Sequence, residues 1–220
     1  MRRSIAAIAA GVTVTLAAPL PTALADTGSS SLSGGTGSSS LSGGGSGSSS
    51  LSGGGDLPSY AQWIADVTVV ANEAQAYLAT RLPSGGKPAI VFDIDNTTLE
   101  TQYNPSPITP AIARMLQLAQ WADGQGAAII FVTGRPAVMN LYTQLNLSAV
   151  GYPVERLYGS PLTTLSAGSA GLEEYKTASR IDIESKGYTI VANIGNSASD
   201  LAGGHAERTF KLPDYDGALS

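Results

Sequence analysis

The chain has no cysteine among its 220 residues, which excludes disulfides, thiolate metal sites and cysteine nucleophiles together. Any folded part must therefore be held by its core alone. The one histidine, His205, follows Gly203-Gly204 outside any motif that would give it a catalytic role, and reads as a surface residue. Charged residues make up only 13% of the chain and the balance is acidic, at −5; binding of a nucleic acid through bulk charge is excluded. Aromatics are 6%, and Trp63 and Trp121 fall on helix-like faces as packing residues rather than as a binding platform. The apolar stretch at 5–16 is alanine-rich, followed by Pro19 and Pro21, and short of the roughly 20 residues that span a bilayer.

What is present begins with that stretch. Arg2 and Arg3, an apolar run through Leu20, and Ala23-Leu24-Ala25 ahead of Asp26 form the pattern of a secretory signal covering residues 1–25. The pattern predicts a mature chain that starts at Asp26, leaves the cell or stays at its envelope, and keeps no stable membrane span. The arginine pair suits general and twin-arginine export equally. Loss of 1–25 removes two arginines and no acids, taking the formal charge from −5 to −7. Residues 26–55 are rich in glycine and serine, and Gly-Ser-Ser-Ser-Leu-Ser-Gly-Gly recurs from Gly28, Gly37 and Gly47. One leucine per unit buries too little to offset chain entropy, so a flexible tether of about 30 Å reach is expected. Residues 56–220 are enough for one domain with its own core.

Within that domain Trp63, Val67, Val70, Ala74 and Tyr77 share one face of a helix that Pro83 stops. Residues 88–92 form a continuous apolar run, read as a strand buried on both faces and ending at Asp93. Thr109-Pro110 has the form of a cap and first helical position. Ile112, Met115, Leu116 and Ala119 follow on one face, with Gly124 and Gly126 as the stop. The pattern then predicts strand 127–132, helix 136–145, a brief strand 155–158, helix 172–186, strand 188–193, and a last strand at 208–212. Strands alternating with amphipathic helices specify a parallel sheet covered on both faces, with ligands bound outside the carboxyl ends of the strands.

The polar residues cluster at those ends. The first strand runs into Asp93-Ile94-Asp95-Asn96-Thr97-Thr98, where a period of two puts both carboxylates on one side of the chain. Two such acids call for a cation or a shared proton. The second strand exits into Thr133-Gly134-Arg135-Pro136 just ahead of an expected helix, in outline an anion site. A later strand exits into Asn193-Ile194-Gly195-Asn196-Ser197-Ala198-Ser199-Asp200, a glycine turn with oxygens suited to a hard cation. Lys176 lies on the helix before that strand. Arg135 and Arg180 read as structural pairs, and Asp200, besides offering oxygen to a cation, is also placed to cap a helix starting near Leu201.

Four motifs in this order, each at a strand end or helix start, resemble the haloacid dehalogenase (HAD) superfamily of phosphatases. The stretches around Tyr175-Lys176, Asn193-Ile194-Gly195, Ser199-Asp200-Leu201 and Phe210-Lys211-Leu212-Pro213 are similar to the class B-like acid phosphatases related to plant vegetative storage proteins, HAD subfamily IIIB. The resemblance implies a three-layer α/β Rossmann-like core with a central parallel sheet. By position it makes Asp93 a nucleophile that forms an aspartyl phosphate, and Asp95 the general acid and then base. It makes Thr133, Gly134 and Lys176 the phosphate-binding residues, with Thr133 and Lys176 also catalytic. It implies Mg²⁺ held by Asp93, Asp95 through its carbonyl, Asp200 and Asn196.

Gly195-Asn196 departs from the glycine-aspartate that usually opens the family's last motif, which removes a negative charge and predicts weaker metal affinity. Only residues 99–107 separate the first motif from the second helix, so the cap is minimal or absent. The site is then open, suited to small phosphomonoesters whose bulk stays in solvent. Besides a secreted Mg²⁺-dependent acid phosphatase, two alternatives stand: a catalytically impaired binding or storage protein, and a phosphotransferase that uses an alcohol acceptor.

Overall fold

The structure, a computed structural model, describes residues 57–219. The expected signal at 1–25 and tether at 26–55 lie outside the described residues. Among the described residues no helix is long and apolar enough to cross a membrane.

Helix α1, Tyr60–Arg81, starts where the Ser59 side chain accepts the Gln62 N–H at 3.2 Å. Trp63, Val67, Ala71, Ala74 and Leu78 are its buried stripe, while Val70 and Tyr77 sit half-buried at its margins. Pro83 ends the run inside a 3-10 turn, Leu82–Ser84. Strand β1, Pro88–Phe92, is buried along its whole length.

Helix α2, Ala113–Gly124, does not begin at Thr109-Pro110 as its sequence suggests. The Pro110 carbonyl accepts the Glu100 N–H at 3.0 Å and the Ile112 N–H donates to the Thr98 carbonyl at 2.9 Å. These bonds hold 110–112 extended beside the loop after β1, and the helix waits until they end.

The remaining elements are β2, Ala128–Pro136, α3, Asn140–Ala149, β3, Arg156–Ser160, α4, Thr164–Ser185, β4, Thr189–Gly195, α5, Ala198–Leu201, and β5, Thr209–Lys211. The helix expected from Pro136 is displaced, because β2 continues through Pro136 and a 3-10 turn, Ala137–Met139, precedes α3. Helix α4 is longer than expected and is broken at Gly168, whose φ of 65° and ψ of −154° are not helical.

The five strands are all parallel in the order β3-β2-β1-β4-β5. Alternation along the central strands divides the core in two. Ile90, Phe92, Ile129 and Phe131 pack with α1 and α2 on one face; Ala89, Val91, Ile130 and Val132 pack with Ile183 of α4 on the other. The chain therefore forms the three layers its pattern predicts. The strand order runs one way from β1 to β3 and the other way from β1 to β5. The reversal leaves a crevice outside the carboxyl ends of β1 and β4, where ligands bind in open α/β sheets.

Candidate active site

Register sets the floor of this crevice. Phe92 lies level with Phe131 on one side and Ile194 on the other, so the chain leaves β1 at Asp93 and β4 at Gly195 along one sheet edge. The Asp93 N–H donates to the Ile194 carbonyl at 2.9 Å, which fixes the backbone at the exit. The loop then folds on the Ile94 carbonyl, which accepts the Thr98 and Leu99 N–H groups at 2.9 and 3.0 Å. Asn96, at φ 56°, supplies the left-handed residue this turn needs.

Asp93, Lys176 and Asp200 are 7%, 3% and 3% exposed. The Lys176 Nζ donates to Asp93 Oδ1 at 3.0 Å and also to Asp200 Oδ1. Burial and the nearby Asp200 charge push the Asp93 carboxyl up to about 7 against the pull of Lys176, with Asp95 adding to the rise. Burial alone would lower the Lys176 ammonium, but the two carboxylates more than reverse it, so the lysine is held above its ordinary value and stays charged. No protein group donates to Asp93 Oδ2 among the described residues. This oxygen is the one left available to a ligand.

Asp200 reaches Lys176 through a local device and does not take the capping role that its place before Leu201 also allowed. It is the third residue of α5; Ser197 is the cap, and the Ser197 N–H donates to Asp200 Oδ2 at 2.7 Å in a reciprocal capping box. Both Asp200 oxygens are thereby engaged. A Cβ on Gly195 would lie 2.6 Å from Asp200 Cγ, so only glycine allows the carboxylate to fold back over the strand end. Arg180 holds the same turn from below, donating to the Asp200 carbonyl at 2.7 Å and the Gly204 carbonyl at 2.9 Å.

Asp95 faces the same cleft but has a different partner. Arg135 grips it with Nη2 at 2.6 Å from Oδ1 and Nε at 2.9 Å from Oδ2, and the Thr101 hydroxyl donates to Oδ1 at 2.7 Å. Asp95 is the most open of the three acids, with 37% of its side chain exposed.

A cleft of about 180 Å³ is lined by Asp93, Asp95, Asn96, Gly134, Leu172, Lys176, Asn196, Ser197 and Leu219. Five of the residues singled out in the sequence, Asp93, Asp95, Gly134, Lys176 and Asn196, meet there. Thr133 and Asp200 stand behind the wall. Thr133 is fully buried, and its hydroxyl accepts the Arg135 N–H at 3.1 Å. The expected helix N-terminus after Gly134 is replaced by the continuing strand, so helical N–H groups do not build the anion site there. Asn196 Oδ1 accepts the Thr97 hydroxyl at 3.1 Å and its Nδ2 donates to the Leu219 carbonyl at 2.5 Å.

Sequence reasoning missed Thr101, Leu172 and Leu219, and assigned Arg135 a pair without its partner. Leu172 was within reach, since it precedes Lys176 by one helical turn and so shares its face. His205 is exposed beside Glu184, away from the cleft. Trp63 is packed in the core, stacked on Tyr103 at 4.6 Å between centroids.

The family described as HAD superfamily, subfamily IIIB (Acid phosphatase), matches residues 106–218, half of the chain. The chain belongs to this family. The matched stretch holds Thr133, Lys176, Asn196 and Asp200, while Asp93 and Asp95 precede it. Similar proteins include a Stem 28 kDa glycoprotein of Glycine max, 36% identical over 122 residues that make up 54% of this chain and 47% of that protein. A Stem 31 kDa glycoprotein of the same plant is 36% identical over 122 residues, 54% of this chain and 41% of the relative. The chain thus spans about half the length of these relatives. Among solved structures, the class C acid phosphatase from Bacillus anthracis superposes with a TM-score of 0.55 at 21% identity, covering 66% of this chain and 67% of that one. The same enzyme with tungstate bound superposes at 0.53 and 20% identity, with the same coverage. These two structures share the fold of the subfamily IIIB chain described here: a five-stranded parallel sheet between helices.

Proposed function

We propose that this subfamily IIIB domain is a secreted, Mg²⁺-dependent acid phosphatase that hydrolyses small phosphomonoesters through an aspartyl phosphate on Asp93. The observation that carries the reading is the buried Asp93–Lys176–Asp200 cluster, which leaves Asp93 Oδ2 without a protein partner at the mouth of a small cleft. A buried carboxylate kept beside another acid is costly to the fold, and such expense is concentrated where chemistry is done.

In this reading Asp93 Oδ2 attacks phosphorus in line, and the bond to the leaving oxygen breaks as Asp95 gives that oxygen a proton. Asp95 then takes a proton from water, whose oxygen attacks phosphorus; the acyl phosphate bond breaks and Asp93 is restored. Lys176 stays charged throughout and offsets the negative charge on the nucleophile and the phosphoryl group. The pair between Asp95 and Arg135 must open before Asp95 can move a proton. An arriving phosphate dianion offers Arg135 the acceptor that replaces it.

The oxygens present suit a hard cation. Asn196 Oδ1 retains a lone pair beside its Thr97 bond, the Asp95 carbonyl lies on the same turn, and Asp93 would offer Oδ1, beside its Lys176 bond, because Oδ2 is the attacking oxygen. Among the described residues no three acids or histidines are grouped as a ready-made site, so water would complete the shell, as it commonly does for Mg²⁺. Bound there, Mg²⁺ would act as a Lewis acid toward the phosphoryl oxygens.

A second reading, a binding or storage protein, is favoured by the way the site satisfies itself. Lys176 already neutralises two acids and Arg135 the third. Rapid quenching of the protein mixed with a ³²P-labelled phosphomonoester separates the two readings. The phosphatase reading requires a hydroxylamine-labile label on the parent that is absent from Asp93→Asn. Tight ligand binding with no label in the parent supports the binding protein.

A further inference from the structure

Residues 212–219 take an unusual path to reach the cleft. The Leu212 N–H donates to the Gly195 carbonyl at 2.9 Å, and Tyr215, Asp216 and Gly217 then follow one another at φ 50°, 55° and 89°. Two of these are not glycine, and left-handed backbone is unfavourable for such residues. The turn is held by its own bonds, Ala218 N–H to the Tyr215 carbonyl at 3.1 Å and Leu219 N–H to the Asp214 carbonyl at 3.0 Å. At its far end the Leu219 side chain enters the main core.

The Leu219 carbonyl accepts two side-chain amides at once, Asn96 Nδ2 at 3.0 Å and Asn196 Nδ2 at 2.5 Å. Each amide is also tied at its oxygen. Asn96 Oδ1 accepts the Gln102 N–H at 2.9 Å, and Asn196 Oδ1 accepts the Thr97 hydroxyl at 3.1 Å. Both asparagines are buried, so these bonds have no ready substitute in water.

We propose that Asn196 is a positioning residue, whose amide joins that of Asn96 in a clamp on the Leu219 carbonyl. The clamp locks three segments together: the turn that carries Asp93 and Asp95, the turn that carries Asp200, and the wall of residues 212–219 with its left-handed turn at 215–217. Asn196 has to accept from Thr97 and donate to Leu219 in the same pose. An amide does both, whereas a carboxylate only accepts and would face the Leu219 carbonyl with a second acceptor. Asparagine at this position is therefore the partner of the wall. The inference goes beyond the phosphatase reading, since the clamp holds whatever the cleft turns over.

The test is hydrogen exchange on the full chain in chelator, comparing the parent with Asn196→Ala, Asn196→Asp and Asn96→Gly. Glycine at 96 suits the φ of 56° and deletes only the amide, which guards against a variant that fails to fold. In all three variants the Ala218 and Leu219 amides should exchange at least tenfold faster than in the parent, while those of β1 hold the parent rate. Parent-like exchange in Asn196→Asp and Asn196→Ala overturns the clamp. So does Asn196→Asp with tighter Mg²⁺ binding and an unchanged wall, because Asn196 would then be no more than a weak ligand.

Discussion

Replacing Asp93 by asparagine should remove turnover and at the same time stabilise the metal-free protein. Burial and Asp200 raise the Asp93 carboxyl to about 7, from an ordinary value of 3.8. Between those values the folded protein holds a proton at Asp93 that the unfolded chain has lost. The folded state is thus favoured at low pH and loses that advantage as pH climbs through about 4 to 7. Above 7 both states are ionised, and the folded one carries a penalty of about 4 kcal/mol, at about 1.4 kcal/mol for each pKa unit between 3.8 and about 7. Asparagine is close in shape, still offers Lys176 an oxygen, and leaves Asp200 as its ion partner. In chelator at pH 8, Asp93→Asn should melt about 8–16 °C above the parent, at about 2–4 °C per kcal/mol for a domain of this size. At pH 4 the two should melt within a degree or two. Thermal melts followed by circular dichroism across pH 4–8 measure this. A variant that melts below the parent at pH 8, or a gap that does not depend on pH, would refute the electrostatic account of the cleft.

Lys176→Met leaves Asp93 and Asp200 buried without their cation and should cost about 3–5 kcal/mol, read from urea denaturation, with much of the loss recovered in the double variant with Asp93→Asn. Gly195→Ala forces a Cβ into the Asp200 side chain; it should cost about 1–3 kcal/mol and lower kcat, seen in melts and steady-state kinetics together. Arg135→Gln breaks a partly exposed pair and should change stability by less than about 1 kcal/mol. Its KM for a phosphomonoester should rise about tenfold, on the order of one phosphate contact, with a smaller change in kcat.

How far the sequence was legible depended on the range of the interaction. The apolar runs at 88–92 and 127–132 became β1 and the body of β2, because strands buried on both faces leave a continuous hydrophobic record. Asp93, Asp95, Gly134 and Asn196 were legible at strand ends and Lys176 through the family resemblance of its helix, and the sheet and α4 brought them to one cleft. Helix starts fared worse. Thr109-Pro110 carries the local signal of a cap, yet bonds from Glu100 and to Thr98 hold that stretch extended; the cap that Asp200 offered as a second role is taken by Ser197. Least legible were the partners that sequence distance hides. Arg135 meets Asp95 across 40 residues and Asn96 meets Leu219 across 123, and no periodicity records either meeting.

The most direct test of the central claim is hydrolysis of a chromogenic phosphomonoester by the purified full chain, in Mg²⁺ or in chelator, beside Asp93→Asn. The account predicts turnover that needs Mg²⁺ and disappears in Asp93→Asn. Turnover that survives in Asp93→Asn, or a folded parent that hydrolyses no phosphomonoester in Mg²⁺, would contradict it.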